Sequence, residues 1–80
     1  MLKVSDVISV SAEVMNNQAV FKGSRVTIET LFDYLESGET VETFLSEFPS
    51  VSREQAMAVI EIASKLLSSR NIIKLYETAA

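Results

Sequence analysis

The clearest periodicity in the chain lies in residues 28–35, where Ile28, Leu31, Phe32 and Leu35 fall at i, i+3, i+4 and i+7. Glu29, Asp33 and Glu36 occupy the opposite face, so the segment predicts an amphipathic helix with one buried stripe. Thr27 stands where an N-cap hydroxyl accepts from the first free backbone N–H groups, and Gly38 where a left-handed residue ends a helix. The pattern then repeats in a shorter form. Thr40 precedes Val41, Phe44, Leu45 and Phe48 at the same spacing, and Pro49 stops the run, which predicts a helix of two turns. Ser52-Arg53-Glu54-Gln55 has the form of a capping box and opens a third helix. Its apolar arc runs through Ala56, Val59, Ile60, Ala63, Leu66 and Leu67 to about Ser69, with Glu54, Glu61, Lys65 and Ser68 on the far side.

Upstream the period is shorter. Val7 to Val10 and Ala19 to Ile28 carry β-branched and apolar residues alternating with polar ones. Asn16-Asn17 and Lys22-Gly23-Ser24-Arg25 split these runs, which predicts two or three short strands. Phe21, Phe32, Phe44 and Phe48 all stand on apolar faces and are expected in the core. Downstream, Ile72, Ile73, Leu75 and Tyr76 form an apolar tail, helical or extended, with no stop signal. A small monomer rarely leaves such a cluster in water, so the tail either folds back or binds something. The expected class is mainly α: small N-terminal strands and a three-helix domain over residues 1–70, then a tail or helix extension over 71–80.

An 80-residue chain with 48% hydrophobic residues closes one core, not two. A domain this small buries only roughly 60 to 65% of its unfolded surface, and it is marginal without disulfides, metal or oligomerisation. There is no cysteine and no histidine, hence no disulfide and no thiolate or imidazole ligand, which leaves oligomerisation as the expected support. The formal charge of −4 argues against bulk attraction to nucleic acid or anionic membrane, so any DNA contact is local. No apolar run reaches the roughly 18 residues of a membrane span, and Met1-Leu2-Lys3-Val4-Ser5-Asp6 does not resemble a signal peptide. A cytoplasmic address is expected.

The carboxylates do not converge on a site. Glu29, Asp33 and Glu36 share a face, but that face is opposite the core and solvated, which provides no desolvated pocket to shift a pKa or dehydrate a cation. The hydroxyls and lysines have no partner base, phosphate-cradling glycine loop or nucleophile elbow. Neither catalysis nor a small-molecule substrate, metal or cofactor is expected.

The more informative arrangement is the short helix over residues 41–48, a turn through Pro49, Ser50 and Val51, and the capped helix from Arg53. This is helix-turn-helix spacing, which projects the first turn of the second helix outward where a major groove accepts it. The exposed candidates are Ser50, Ser52, Arg53 and Gln55: arginine pairs with guanine, glutamine with adenine, and serines at a helix N-terminus with phosphate. Two amphipathic helices joined by a tight turn are also common in folds that bind no DNA, where Ser52 and Gln55 only cap. Lys22 and Arg25 form a second basic spot, either a phosphate contact or a turn in which Arg25 ties to Glu29 or Asp33. Tyr34 borders the apolar arc of the first helix, and Ile62 edges that of the third with Ala58 and Gln55. Both edges suit a subunit contact or ordinary partial exposure.

The order of these pieces is specific: Ala19-Val20-Phe21-Lys22-Gly23-Ser24-Arg25-Val26-Thr27-Ile28, a helix closed by Leu35-Glu36-Ser37-Gly38, then Phe48-Pro49-Ser50-Val51-Ser52. It resembles the domain-of-unknown-function 433 family over roughly Ile8 to Leu67. Lys22, Gly23, Ser24, Arg25 and Val26 match that family's Lys/Gly/Thr/Arg/Ile segment, and Asn16, Asn17 and Gln18 stand where it usually has paired glycines and often lysine. The resemblance implies a winged or homeodomain-like helix-turn-helix and a VapB-like antitoxin encoded beside a PIN-like ribonuclease toxin. It further implies a homodimer that presents two such units to operator DNA and a tail that docks on the toxin, for which the apolar Ile72, Ile73, Leu75 and Tyr76 are the candidates.

Overall fold

The structure, a computed structural model, describes residues 3–11, 14–68, 70, 73–74 and 76–77. Its order is α1 (Val4–Val7), β1 (Ile8–Ser11), β2 (Val14–Phe21), α2 (Ile28–Glu36), α3 (Val41–Glu47) and α4 (Arg53–Leu66). The expected class holds: a small N-terminal antiparallel pair is followed by a mainly helical domain.

β1 and β2 pair with Ile8 opposite Phe21, Ser9 opposite Val20 and Val10 opposite Ala19. The register then shifts, so that Ser11 faces Val14 and residues 15–18 are taken up in β2. Asn16 and Asn17, expected to divide two strands, therefore lie at an irregularity inside one strand. The third strand contracts to an isolated bridge between Val20 and Thr27, because Thr27 already serves as the N-cap of α2. A further departure is α1. Four residues are too few to show a helical period, but the Asp6 carboxylate accepts the backbone N–H of Lys3 at 2.9 Å and holds the turn, burying Val7 fully.

The three longer helices follow their caps. Thr27 Oγ1 accepts the Thr30 N–H at 3.2 Å, Thr40 Oγ1 that of Thr43 at 3.1 Å, and Ser52 Oγ that of Gln55 at 3.0 Å. α2 closes in a Schellman arrangement: the Gly38 N–H donates to Leu35 O at 3.1 Å and the Glu39 N–H to Tyr34 O at 2.9 Å. Gly38 has φ +86°, and nothing lies within 4 Å of where a Cβ would stand. Gly38→Ala is therefore expected to lower stability by about 1 kcal/mol through backbone strain alone, and Gly38→Asn by less. Urea denaturation checks both.

The core is Val7, Phe21, Leu31, Phe44, Val51, Ala56 and Val59, with Phe32, Leu35, Phe48 and Ile60 packed against it. Phe44 is its hub: its ring centroid lies 5.8 Å from Phe21, 5.7 Å from Tyr34 and 5.1 Å from Phe48. All four phenylalanines thus join the core or its margin, as their positions predict. The arc of α4 does not extend as far as expected. The helix ends at Leu66, short of Ser69, which lies outside the described residues, and Leu66 and Leu67 are exposed. The other elements pack on α4 through Ala56 and Val59 nearer its start, so its last turn projects past the core.

Candidate nucleic-acid and partner interfaces

α3 and α4 are joined by a tight turn in which the Val51 N–H donates to Phe48 O at 3.0 Å. Pro49 and Ser50 are exposed at its tip, while Val51 folds inward and is buried, which anchors the turn to the core. Ser52 and Arg53 follow, both exposed, at the start of α4.

The capping box is complete: Gln55 Oε1 accepts the Ser52 N–H at 3.0 Å while Ser52 Oγ accepts that of Gln55. The remaining end of the Gln55 amide reaches across the chain, and Nε2 donates to the Lys22 carbonyl at 3.0 Å. This bond brings the two basic spots of the sequence together, setting the Lys22–Arg25 turn beside the start of α4. That turn is self-supporting. The Ser24 N–H and Oγ both donate to Phe21 O, at 3.0 and 2.8 Å, Ser24 Oγ accepts the Val26 N–H at 3.1 Å, and Gly23 has φ +81°. Lys22 and Arg25 are exposed, and Arg25 pairs with neither Glu29 nor Asp33.

Arg53 does have a partner. Its Nη2 lies 2.8 Å from Glu42 Oε2, an ion pair between α3 and α4 with both side chains more than half exposed. The guanidinium hydrogen bond and charge hold the Glu42 carboxyl below the usual glutamate range. Folding therefore gains from this pair above the ordinary glutamate pKa, and the gain fades as pH falls through the lowered one. The Arg53 guanidinium at the start of α4 is thus presented with an acid across it.

Of the two residues singled out for a subunit contact, Tyr34 is largely engaged within its own chain. Its ring packs edge-on against Phe44 and Phe48, and its hydroxyl donates to Glu47 Oε1 at 2.7 Å, clasping α2 to α3. That hydrogen bond, with the negative charge of Glu47, raises the phenol above its ordinary pKa. The clasp holds below that ordinary value and loosens as pH climbs through the raised one. Ile62 is half-buried and lines a groove of about 500 Å³ along the outer side of α4, with Met57, Ala58 and Glu61.

In the tail, Ile73 and Tyr76 are 57% and 73% exposed, so these two do not fold back onto the core. Ile72 and Leu75 lie outside the described residues. Glu29, Asp33 and Glu36 are exposed, as a solvated face requires, and among the described residues no group of three or more potential ligands is placed to hold a metal ion. No helix among them is long and apolar enough to cross a membrane. Two contacts at the candidate interface escape sequence reading. The Gln55–Lys22 bond spans 33 residues, and the Arg53–Glu42 pair joins different helices. Only the docking of α4 against its neighbours reveals them.

A family model described as "Protein of unknown function (DUF433)" matches residues 8–63. No curated protein and no solved structure matches the chain.

Proposed function

The chain belongs to the DUF433 family, and from that premise we propose that it is a VapB-like antitoxin: a cytoplasmic protein that captures a PIN-like ribonuclease and represses its own operon. The observation that carries this reading is the exposure of Ile73 and Tyr76, which lie C-terminal to the family-matched domain and outside its core. With Ile72 and Leu75, their neighbours in sequence, they make an apolar run of the kind that fills a groove on a partner, while Lys74 and Glu77 meet charge at the rim. Co-expression with the neighbouring reading frame tests it, with copurification of a PIN-like partner as the expected result.

Repression falls to the helix-turn-helix. Ser50 in the turn, Ser52 and Arg53 at the start of α4, and Lys22 and Arg25 on the adjoining turn supply the phosphate and base contacts, and Gln55 holds the two parts in place. Because the chain is acidic, the complex rather than the antitoxin alone is the DNA-binding species, with the toxin adding positive surface. Arg53→Ala is expected to lower operator affinity of the complex by about 1–3 kcal/mol. Glu42→Gln is expected to raise it, since it releases Arg53. Shift assays at fixed salt check both.

A second reading, an interaction module that never touches DNA, is favoured by the Arg53–Glu42 pair and by a Gln55 amide already engaged at both ends. A complex that leaves the upstream DNA unshifted supports it over the first. In either reading the protein acts as a homodimer with Ile62 at the contact; Tyr34 offers only the outer edge of its ring.

A further inference from the structure

We propose that the outer face of α4 is where a second copy of this chain docks, with the two helices antiparallel and Glu54 of each copy against Lys65 of the other. The pairing gives a face to the homodimer of the reading above and requires neither toxin nor DNA.

Glu54, Ala58, Glu61 and Lys65 recur at spacings of four, three and four, so they form one seam along α4, on the side away from Ala56 and Val59. Met57 and Ile62 flank this seam and line the groove with it, and Ala58 and Ile62 are half-buried, each packed in part against the core. Met57 is 47% exposed, although it is large and apolar.

The seam is complementary to itself. Its acid is at the start and its base near the end, about 16 Å apart along the axis. A two-fold axis midway between them brings each Glu54 level with the opposite Lys65 at both ends of the contact. The same axis sets the small Ala58 opposite the longer Glu61, leaving room for its stem. Ile62 then approaches its own copy on one flank of the seam, and Met57 approaches its own copy on the other. This is the self-matching pattern of an isologous interface. A parallel pairing in register would put Glu54 against Glu54 and Lys65 against Lys65, and like charge disfavours it. Lys65 lies 3.3 Å from Glu61 of its own helix, so each end of the contact would join Glu61, Lys65 and the incoming Glu54 in one network. A domain of this size without disulfide or metal gains most from covering such a face.

The pairing has a consequence for DNA. The two Arg53 ends lie about 20 Å apart along the paired axes, short of the roughly 34 Å between half-sites one turn apart. A paired form therefore meets DNA through one end at a time, which departs from the presentation of two units to an operator that the family resemblance implies.

Sedimentation equilibrium on the purified full chain tests the proposal. The wild type is expected to dimerise. Glu54→Lys and Lys65→Glu should each weaken the dimer about tenfold, and the double swap should restore it. Circular dichroism on the same samples separates dissociation from unfolding. Met57→Glu, at a solvent-exposed position, provides a second route to dissociation that leaves the core intact. A chain that is monomeric at every concentration reached, or a dimer indifferent to all of these changes, overturns the pairing. A monomer that still captures the ribonuclease overturns the pairing and leaves the antitoxin reading standing, whereas a charge-sensitive dimer that captures nothing upholds the pairing and counts against that reading.

Discussion

Phe44→Ala is expected to remove a large part of the fold's stability, about 3–5 kcal/mol. The side chain is fully buried and its ring meets three other rings, from β2, α2 and the end of α3, at centroid distances of 5.1 to 5.8 Å. Truncating a phenylalanine in such a site removes its transfer free energy and leaves a cavity, together about 3–5 kcal/mol. A domain of this length has a total stability of only about 4–12 kcal/mol. Collapse around the cavity is also restricted, because Tyr34 is held by its hydroxyl to Glu47 and Phe48 leads directly into the turn that positions α4. Far-UV circular dichroism with urea denaturation reads the loss. Leu66→Ser, at a position 59% exposed, serves as the control and should change little.

The second large effect concerns the tail. Ile73→Ser combined with Tyr76→Ser is expected to weaken capture of the proposed ribonuclease partner about a hundredfold, since buried apolar anchors carry most of the energy of such contacts. The unbound fold should not respond, because both side chains are exposed in the free chain. Capture is read by titration calorimetry or by competition on a column, and the melting curve of the free variant should overlay that of the wild type. Unchanged capture would remove the tail from the interface.

These expectations draw on different levels of legibility in the sequence. α2, α3 and α4 begin where Thr27, Thr40 and Ser52 say they should, and α2 closes at Gly38, because capping and positive φ are local requirements that particular residue types satisfy. The burial of Phe21, Phe44 and Leu31 is equally legible, since each sits on the apolar side of its element. What the sequence hides depends on packing. α1 is too short for a period, and Leu66 and Leu67 continue an apolar arc beyond the point where anything covers it. At the candidate interface the exposed candidates were readable one by one. Their grouping was not, because it depends on Gln55 reaching the carbonyl of Lys22, a residue from another element. The pairing of Arg53 with Glu42 escaped for the same reason: the nearest acid in sequence is Glu54, but the nearest in space lies on α3.

That pairing makes the electrostatics of the interface conditional. Arg53 faces an acid in the unbound chain, so in the proposed repressor role it reaches DNA only when a phosphate or base displaces Glu42. The proposed capture of a ribonuclease carries no such condition, and it is therefore the part of the account to test first. The most direct measurement is RNA cleavage by the purified neighbouring ribonuclease while this chain is titrated in. Cleavage that falls to baseline near one antitoxin per toxin, and returns when Ile73 and Tyr76 are replaced by serine, is the predicted result. A ribonuclease that remains fully active with the wild-type chain in large excess would contradict it.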